Sequence, residues 1–408
     1  MQHYSILIDN QLSTTLFIDS LLNNAYSAHF KELNTLQGVV LSKFRIDELI
    51  HEEEHHDLKI ATKSVNQSLK SMSSGEQKKI VLEYLISKKP DYLILDNPFD
   101  NLDEQSIKHL KNRLEVLSHK LILIVLLSRK NDVLHFISNT YSLTKTGDLE
   151  KISVSNTISP SDYFVFKTPE SITKIEATKN PLIHFKNVSV SYQDKPIITN
   201  INWKINQGEF WQLKGANGSG KTTLLSMITG ENSKGYGQEL YLFGQKKGSG
   251  ESIWDIKKKI GYYAPTLTHN FYGEHTIEHM LISGLNDSIG LYKYPTEQQI
   301  KTAKEWLLLL DLSAKSDALF IEVPAGQQRL IMVARAMIKQ PLLLILDEPT
   351  ENLDDSSAGI FVALINKISK ETSTAIIFVS HRTEVGLNPR NVFELQKTET
   401  GSIGIEIV

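Results

Sequence analysis

Residues 88–103 read KKPDYLILDNPFDNLD, and residues 339–354 read KQPLLLILDEPTENLD. The two segments align without a gap at an offset of 251, with 10 of 16 positions identical. The same offset carries Met72-Ser73-Ser74-Gly75-Glu76-Gln77-Lys78 onto Val323-Pro324-Ala325-Gly326-Gln327-Gln328-Arg329. An offset of 252 carries Ser128-Arg129 onto Ser380-His381. A spacing this constant marks duplication of a whole domain, so the 408 residues must hold two copies of one fold. A composition of 40% hydrophobic and 22% charged residues lets each copy bury its own core.

Each copy has a short apolar run, residues 93–95 and 342–346, that ends at an acid with a proline two residues on. Such runs read as strands buried on both faces of a parallel sheet. Helical patterns flank these runs at residues 76–87, 327–339 and 356–370. Alternating strand and helix predicts an α/β layered fold.

The copies are unequal. Leu182-Ile183-His184-Phe185 and residues 188–192 alternate like the arms of an antiparallel hairpin, with Gln193-Asp194-Lys195-Pro196 as its turn. Only 71 residues precede Met72, whereas about 140 lie between Pro181 and Val323. The first copy is therefore shortened and has no room for this subdomain. Residues 146–180, rich in Ser, Thr, Lys and Pro, read as a linker with one strand at Tyr163-Phe164-Val165-Phe166. The expected domains are 1–145, a linker at 146–180, and 181–408.

The second copy carries Gly215-Ala216-Asn217-Gly218-Ser219-Gly220-Lys221-Thr222, a match to G-x-x-x-x-G-K-[ST]. A strand-type run, residues 209–213, precedes it, and Thr223-Leu224-Leu225 opens a helical pattern. Glycines let backbone N–H groups converge on phosphate oxygens, and a helix N-terminus adds positive potential. Lys221 can reach the β and γ phosphates of ATP, and the Thr222 hydroxyl suits Mg²⁺. Residues 215–223 are the candidate nucleotide contacts. Asp347 ends the buried strand, placed for Mg²⁺ directly or through water. Glu348 follows it, where a carboxylate can orient and deprotonate water.

Net charge is −3, with 44 basic and 47 acidic residues, so no strong nucleic-acid signal is present. The absence of cysteine excludes disulfides and thiolate metal sites, and fits a reducing cytosol. The N-terminus lacks the pattern of a signal peptide. The longest apolar runs, 121–127 and 342–346, fall far short of the roughly 20 residues that span a bilayer. Any membrane role then needs a separate chain.

Together these motifs resemble the ABC ATPase superfamily. The order is phosphate loop, helical insertion, residues 323–327 at the signature position, Asp347-Glu348, Asn352-Leu353-Asp354 as D-loop, and Ser380-His381 with the switch histidine. The resemblance implies two tandem P-loop domains, the first shortened and degenerate. It also implies an adenine-stacking aromatic about two dozen positions before the phosphate loop, where Tyr192 stands. A narrower resemblance, to the ModF-type tandem ATPases linked to molybdate-transport operons, rests on Tyr241-Leu242-Phe243-Gly244 and residues 248–258. Asp287-Ser288-Ile289-Gly290 and Gly326-Gln327-Gln328-Arg329-Leu330 also agree with it.

ABC domains work as head-to-tail pairs, each ATP lying between one phosphate loop and the other domain's signature. In the first half the best vestige of a phosphate loop is Leu12-Ser13-Thr14-Thr15-Leu16, without glycines or lysine. Asn97 replaces the glutamate and Arg129 the histidine. Yet Ser73-Ser74-Gly75-Glu76 remains a usable signature, with Ser73, Gly75 and Glu76 as candidate ATP contacts. The second half keeps the loop, Glu348 and His381, but Pro324 replaces the signature serine and removes both hydroxyl and N–H. The expectation is one catalytic ATP per chain, closed by intramolecular pairing of the halves, with Glu348 and His381 catalytic and Thr222 and Asp347 on the metal.

By resemblance the partner is a separate membrane permease of an import system, with the chain cytoplasmic and peripheral on the inner membrane. The competing expectation is a soluble ABC ATPase in stress response, repair or regulation. Pro265, where the family has a glutamine that couples to membrane subunits, favours the latter. The pairs His51/His55 and His275/His279 have i, i+4 metal spacing but read as solvated helix faces. Trp254 and Tyr262 read as core or surface packing rather than ligand stacking.

Overall fold

The computed structural model describes residues 1–9, 12–23, 26, 29–56, 59–62, 67–144, 146–152, 163–170, 181–268, 271, 273–382 and 384–407, without the side chain at position 32. The chain divides into unit 1, Met1–Ile158 with Asn352–Ser356, and unit 2, Ser159–Glu351 with Ser357–Val408.

Unit 1 runs β1 (Tyr4–Leu7), α1 (Thr14–Leu22), β2 (Gly38–Leu41), α2 (Lys43–His56), α3 (Ser74–Ser87), β3 (Tyr92–Asp96), α4 (Glu104–Ser118), β4 (Ile122–Leu127), β5 (Asn139–Leu143) and β6 (Leu149–Lys151). Its sheet has the order β2-β3-β4-β1-β5-β6, parallel up to β5 and antiparallel at the β6 edge. Every residue of β4 is buried. Alternate residues serve two cores: Leu93, Leu95, Leu123 and Val125 on one face, Ile94, Ile122, Ile124 and Leu126 on the other. Two buried faces are why these strands read as unbroken apolar runs. Within unit 1, Arg129 Nε donates to the Leu353 carbonyl at 2.9 Å, and the Lys130 amide to the Asp355 carboxylate at 2.7 Å.

Unit 2 runs β7 (Ile183–Tyr192), β8 (Lys195–Ile205), β9 (Phe210–Gly215), α5 (Lys221–Ile228), β10 (Leu240–Leu242), β11 (Gln245–Lys246), α6 (Ile253–Lys259), β12 (Ile260–Tyr263), α7 (Pro265–Thr268), α8 (Ile277–Ser283), α9 (Glu297–Leu309), α10 (Ala325–Met337), β13 (Leu343–Asp347), α11 (Asp355–Glu371), β14 (Ala375–Val379), β15 (Asn391–Thr398) and β16 (Gly401–Ile407). The sheet order is β11-β10-β7-β8-β16-β15-β9-β14-β13-β12. The expected hairpin is β7–β8; Gln193 and Asp194, at φ 48° and 64°, make its turn.

Six neighbouring strands of unit 2, β12-β13-β14-β9-β15-β16, repeat the order of unit 1 strand for strand. The hairpin and β10–β11 have no counterpart among the described residues of unit 1. The duplication extends to backbone conformation: Lys89/Gln340, Asn97/Glu348 and Asn101/Asn352, each pair 251 apart, all have positive φ.

Two expectations are revised. Tyr163-Phe164-Val165-Phe166 forms no strand; Val165 is 84% exposed, so the run lacks the partner a strand requires. Part of the stretch read as linker, Leu149–Lys151, is a sheet strand paired with β5. Residues 153–162 and 171–180 of that stretch lie outside the described residues.

Candidate functional site

The phosphate loop leaves β9 at Gly215 and enters α5 at Lys221. Gly220 caps α5 with φ 98°, and a Cβ there would lie 2.5 Å from Ile198 Cγ2. A Cβ on Gly215 would lie 2.5 Å from Ser219 Oγ and 3.0 Å from the Leu395 carbonyl. Both positions therefore admit only glycine. The buried Lys221 ammonium folds back on the loop, donating to the carbonyls of Gly215 at 2.7 Å and Ala216 at 3.3 Å. The buried Ser219 hydroxyl has no hydrogen-bond partner, so it is available to an anion's oxygen.

Parallel pairing of β13 with β14 and of β14 with β9 brings the ends of all three strands to one edge. Asp347 accepts the Tyr262 phenol at Oδ2, 3.1 Å away. Burial raises the Asp347 pKa, opposed by that bond and by Lys221. Burial and the Asp347 charge push the Tyr262 phenol well up, so it stays protonated and donates.

Glu348 takes φ 50°, and its amide donates to the Val379 carbonyl at 3.1 Å. His381 Nδ1 lies 2.9 Å from Glu348 Oε2, a close ion-pair distance without hydrogen-bond geometry. The Ser380 hydroxyl shapes that turn, donating to the Arg382 carbonyl and accepting from the Arg382 amide. Tyr192 is 42% exposed; its hydroxyl accepts from Asn232, and Lys234 sits over its ring. The opposite ring face has the chemistry for stacking on a base. Asn217, Gly218, Thr222 and Thr223 follow in the loop and first turn.

In unit 1, Ser73 and Glu76 form a capping box. The Ser73 amide and hydroxyl donate to Glu76 Oε2 at 2.9 and 2.7 Å. These bonds hold the exposed Glu76 carboxyl below its ordinary pKa. Gly75 follows Ser74, whose hydroxyl donates to the Asn101 carbonyl. The matching helix α10 begins at Pro324 with no side-chain cap. Unit 1 also has the vestige: Ser13 caps α1, and the Thr14 hydroxyl donates to Asp96 Oδ2 at 3.3 Å. Asn97 accepts the Ser128 amide at 2.9 Å.

Two neighbours of the site had no signal in the local sequence. Tyr262 is a strand residue 85 positions from Asp347; only the β12–β13 register brings it there. Lys397, on β15, donates to the Asn217 carbonyl at 2.6 Å across 180 positions. Trp254 is 66% exposed with Lys257 over its ring, a surface position.

The model of the ABC transporter family matches residues 198–351. The chain belongs to the ABC ATPases: it binds ATP with Mg²⁺ and hydrolyses it through a P-loop. More narrowly, it is a relative of the ABC transporter ATP-binding protein ModF of Escherichia coli, with 36% identity over 79% of this chain and 69% of that protein. An uncharacterised ABC transporter ATP-binding protein of Schizosaccharomyces pombe is 29% identical over 85% of this chain and 73% of its own length. The solved cbiO1 of Clostridium perfringens, part of an ABC transporter complex, matches 56% of this chain and 88% of its own, with 23% identity and a TM-score of 0.48.

The residues fit Mg²⁺. A hydroxyl at Thr222 and a carboxylate at Asp347 are hard oxygen donors. Among the described residues no three His, Cys, Asp or Glu side chains converge, so phosphate and water oxygens would complete the shell, as Mg²⁺ ordinarily requires. Among the described residues no helix is long and apolar enough to cross a membrane.

Proposed function

We propose that the chain holds one catalytic ATP, built from the groups each half has kept, and serves as the ATP-binding component of an import system. By its resemblance to ModF-type proteins the cargo is molybdate-type, and the chain sits in the cytoplasm against a permease in the inner membrane. The carrying observation is the complementary pattern of loss. Unit 2 retains the glycine cradle, Lys221, Asp347, Glu348 and His381 but starts α10 on an uncapped Pro324. Unit 1 retains the Ser73–Glu76 capping box but enters α1 through a loop with neither glycine nor lysine, and has Asn97 for the glutamate. Decay without a constraint has no reason to sort itself this way.

In this reading, loop amides and Lys221 bind the phosphates of ATP, and Tyr192 stacks on adenine. Thr222 and Asp347 hold Mg²⁺, which neutralises charge developing on the phosphoryl oxygens when bound. Glu348 accepts the proton of the attacking water, and His381 holds the Glu348 carboxylate in place. Ser73 and Gly75 supply the signature, with Glu76 fixing the Ser73 rotamer. The two domains follow the expected division, 1–145 and 181–408, with the first carried on through β6 to Lys151. The deciding variant is Ser73→Arg: turnover lost with ATP binding kept supports the shared site, and turnover equal to the parent overturns it.

A second reading is favoured by Pro265, which opens α7 without a side-chain donor: a soluble ABC ATPase acting in stress response, repair or regulation. Co-purification with Glu348→Gln separates the two. A membrane permease in the eluate supports the import role, and a soluble partner the alternative.

A further inference from the structure

We infer that Tyr262 is a positioning residue for the metal site, its phenol gripping one oxygen of Asp347 and so setting the rotation of that carboxylate. The inference rests on reading Thr222 and Asp347 as the metal-binding pair. Tyr262 and Asp347 stand on adjacent parallel strands, with Tyr262 opposite Ile345 in the register. The phenol donates to Oδ2, leaving Oδ1 for another partner. Tyr262 and Thr222 line the same cavity, so the phenol ring borders the space beside the phosphate-loop hydroxyl. A phenylalanine would fill a strand position at less cost, because a half-buried hydroxyl must be given a partner.

The duplicated unit is an internal comparison. Ile94 is the repeat of Ile345, and its register partner on β2 is Val40. The position of Tyr262 therefore has no hydroxyl in the unit that has lost its phosphate loop. There Asp96, the repeat of Asp347, is taken instead by Thr14, the hydroxyl that the vestige aligns with Thr222. The carboxylate is anchored from the neighbouring strand where the loop survives. Where it does not, the carboxylate closes onto its own former site. Partners of this kind fix the orientation of a ligand without touching the metal.

The experiment uses the full-length protein and binding of a fluorescent ATP analogue, titrated with MgCl₂ and repeated in EDTA. The parent is compared with Tyr262→Phe, Asp347→Asn and the double variant. Tyr262→Phe should raise the half-saturating Mg²⁺ concentration on the order of 10-fold, with affinity in EDTA and the melting transition retained. In the Asp347→Asn background it should add nothing. An unchanged Mg²⁺ titration in Tyr262→Phe beside a shifted one in Asp347→Asn overturns this inference alone. An unshifted Asp347→Asn overturns the metal-site reading itself. An additive double variant, or a Tyr262→Phe protein without a melting transition, assigns Tyr262 to another role and also overturns it.

Discussion

Glu348 and Asn97 share a left-handed backbone, φ 50° and 42°, one residue beyond the matching strands β13 and β3. For residues other than glycine this conformation costs on the order of 1–3 kcal/mol. Duplication kept the kink and exchanged the chemistry it presents. Glu348 points its carboxylate at His381, whereas Asn97 spends its side-chain oxygen on the Ser128 amide.

Replacing Glu348 by Gln keeps the backbone and removes the proposed base. Turnover should fall on the order of 10²–10⁴-fold, the usual contribution of a general base, with ATP binding intact. Asn97→Glu should not raise turnover, since residues 8–16 before and into α1 contain neither glycine nor lysine, and should lower the melting temperature by breaking the Ser128 bond. Phosphate release and calorimetry read both. A hydrolysing Glu348→Gln protein removes the base assignment.

Gly220→Ala should abolish ATP binding, because its Cβ meets Ile198 and its φ of 98° strains any L side chain. Gly359, within α11, faces open space. Gly359→Ala should therefore stabilise the protein by about 0.5–1 kcal/mol through helix propensity. Equilibrium unfolding and nucleotide titration distinguish the two glycines, and equal behaviour contradicts the account of the loop.

Lys397 braces the loop from β15 and brings a second ammonium to it. Lys397→Ala should weaken ATP binding by about 1 kcal/mol or less, as for an exposed charged contact, and more at low than at high salt. A salt-independent loss places the effect in folding of the β15–β16 hairpin.

Asp96 is a stability prediction. Burial raises its pKa, only partly offset by Thr14, Lys78 and Asn97. A carboxyl with a folded pKa above its unfolded one binds more protons when folded, so stability drops as pH rises through that window. Asp96→Asn should raise the melting temperature at neutral pH. The difference should shrink as pH falls through the folded pKa towards the unfolded one. Melting curves across that range check it, and a gap that widens in acid reverses the sign of the argument.

Much of the site was legible from the chain. The phosphate loop is contiguous, so its residues and its geometry coincide. The repeat identified both apolar strands because burial on two faces leaves few alternatives for their composition. The hairpin was legible from its alternation and its turn. Tyr163-Phe164-Val165-Phe166 was misread because an apolar run looks the same with or without a neighbouring strand. Tyr262 was read as packing because aromatic content carries no register.

The sequence by itself determined that there are two copies of one α/β fold, that one carries a phosphate loop, and which copy lost which groups. Each of these is written in contiguous residues or in a constant offset. Only the tertiary structure decided which side chains meet. Tyr262 reaches Asp347, Lys397 reaches Asn217, and Thr14 closes on Asp96. These meetings follow from sheet order, which sets β12 beside β13 and β15 beside β9 across long stretches of chain. A parallel sheet joins strands through crossovers, so neighbours in space are strangers in sequence.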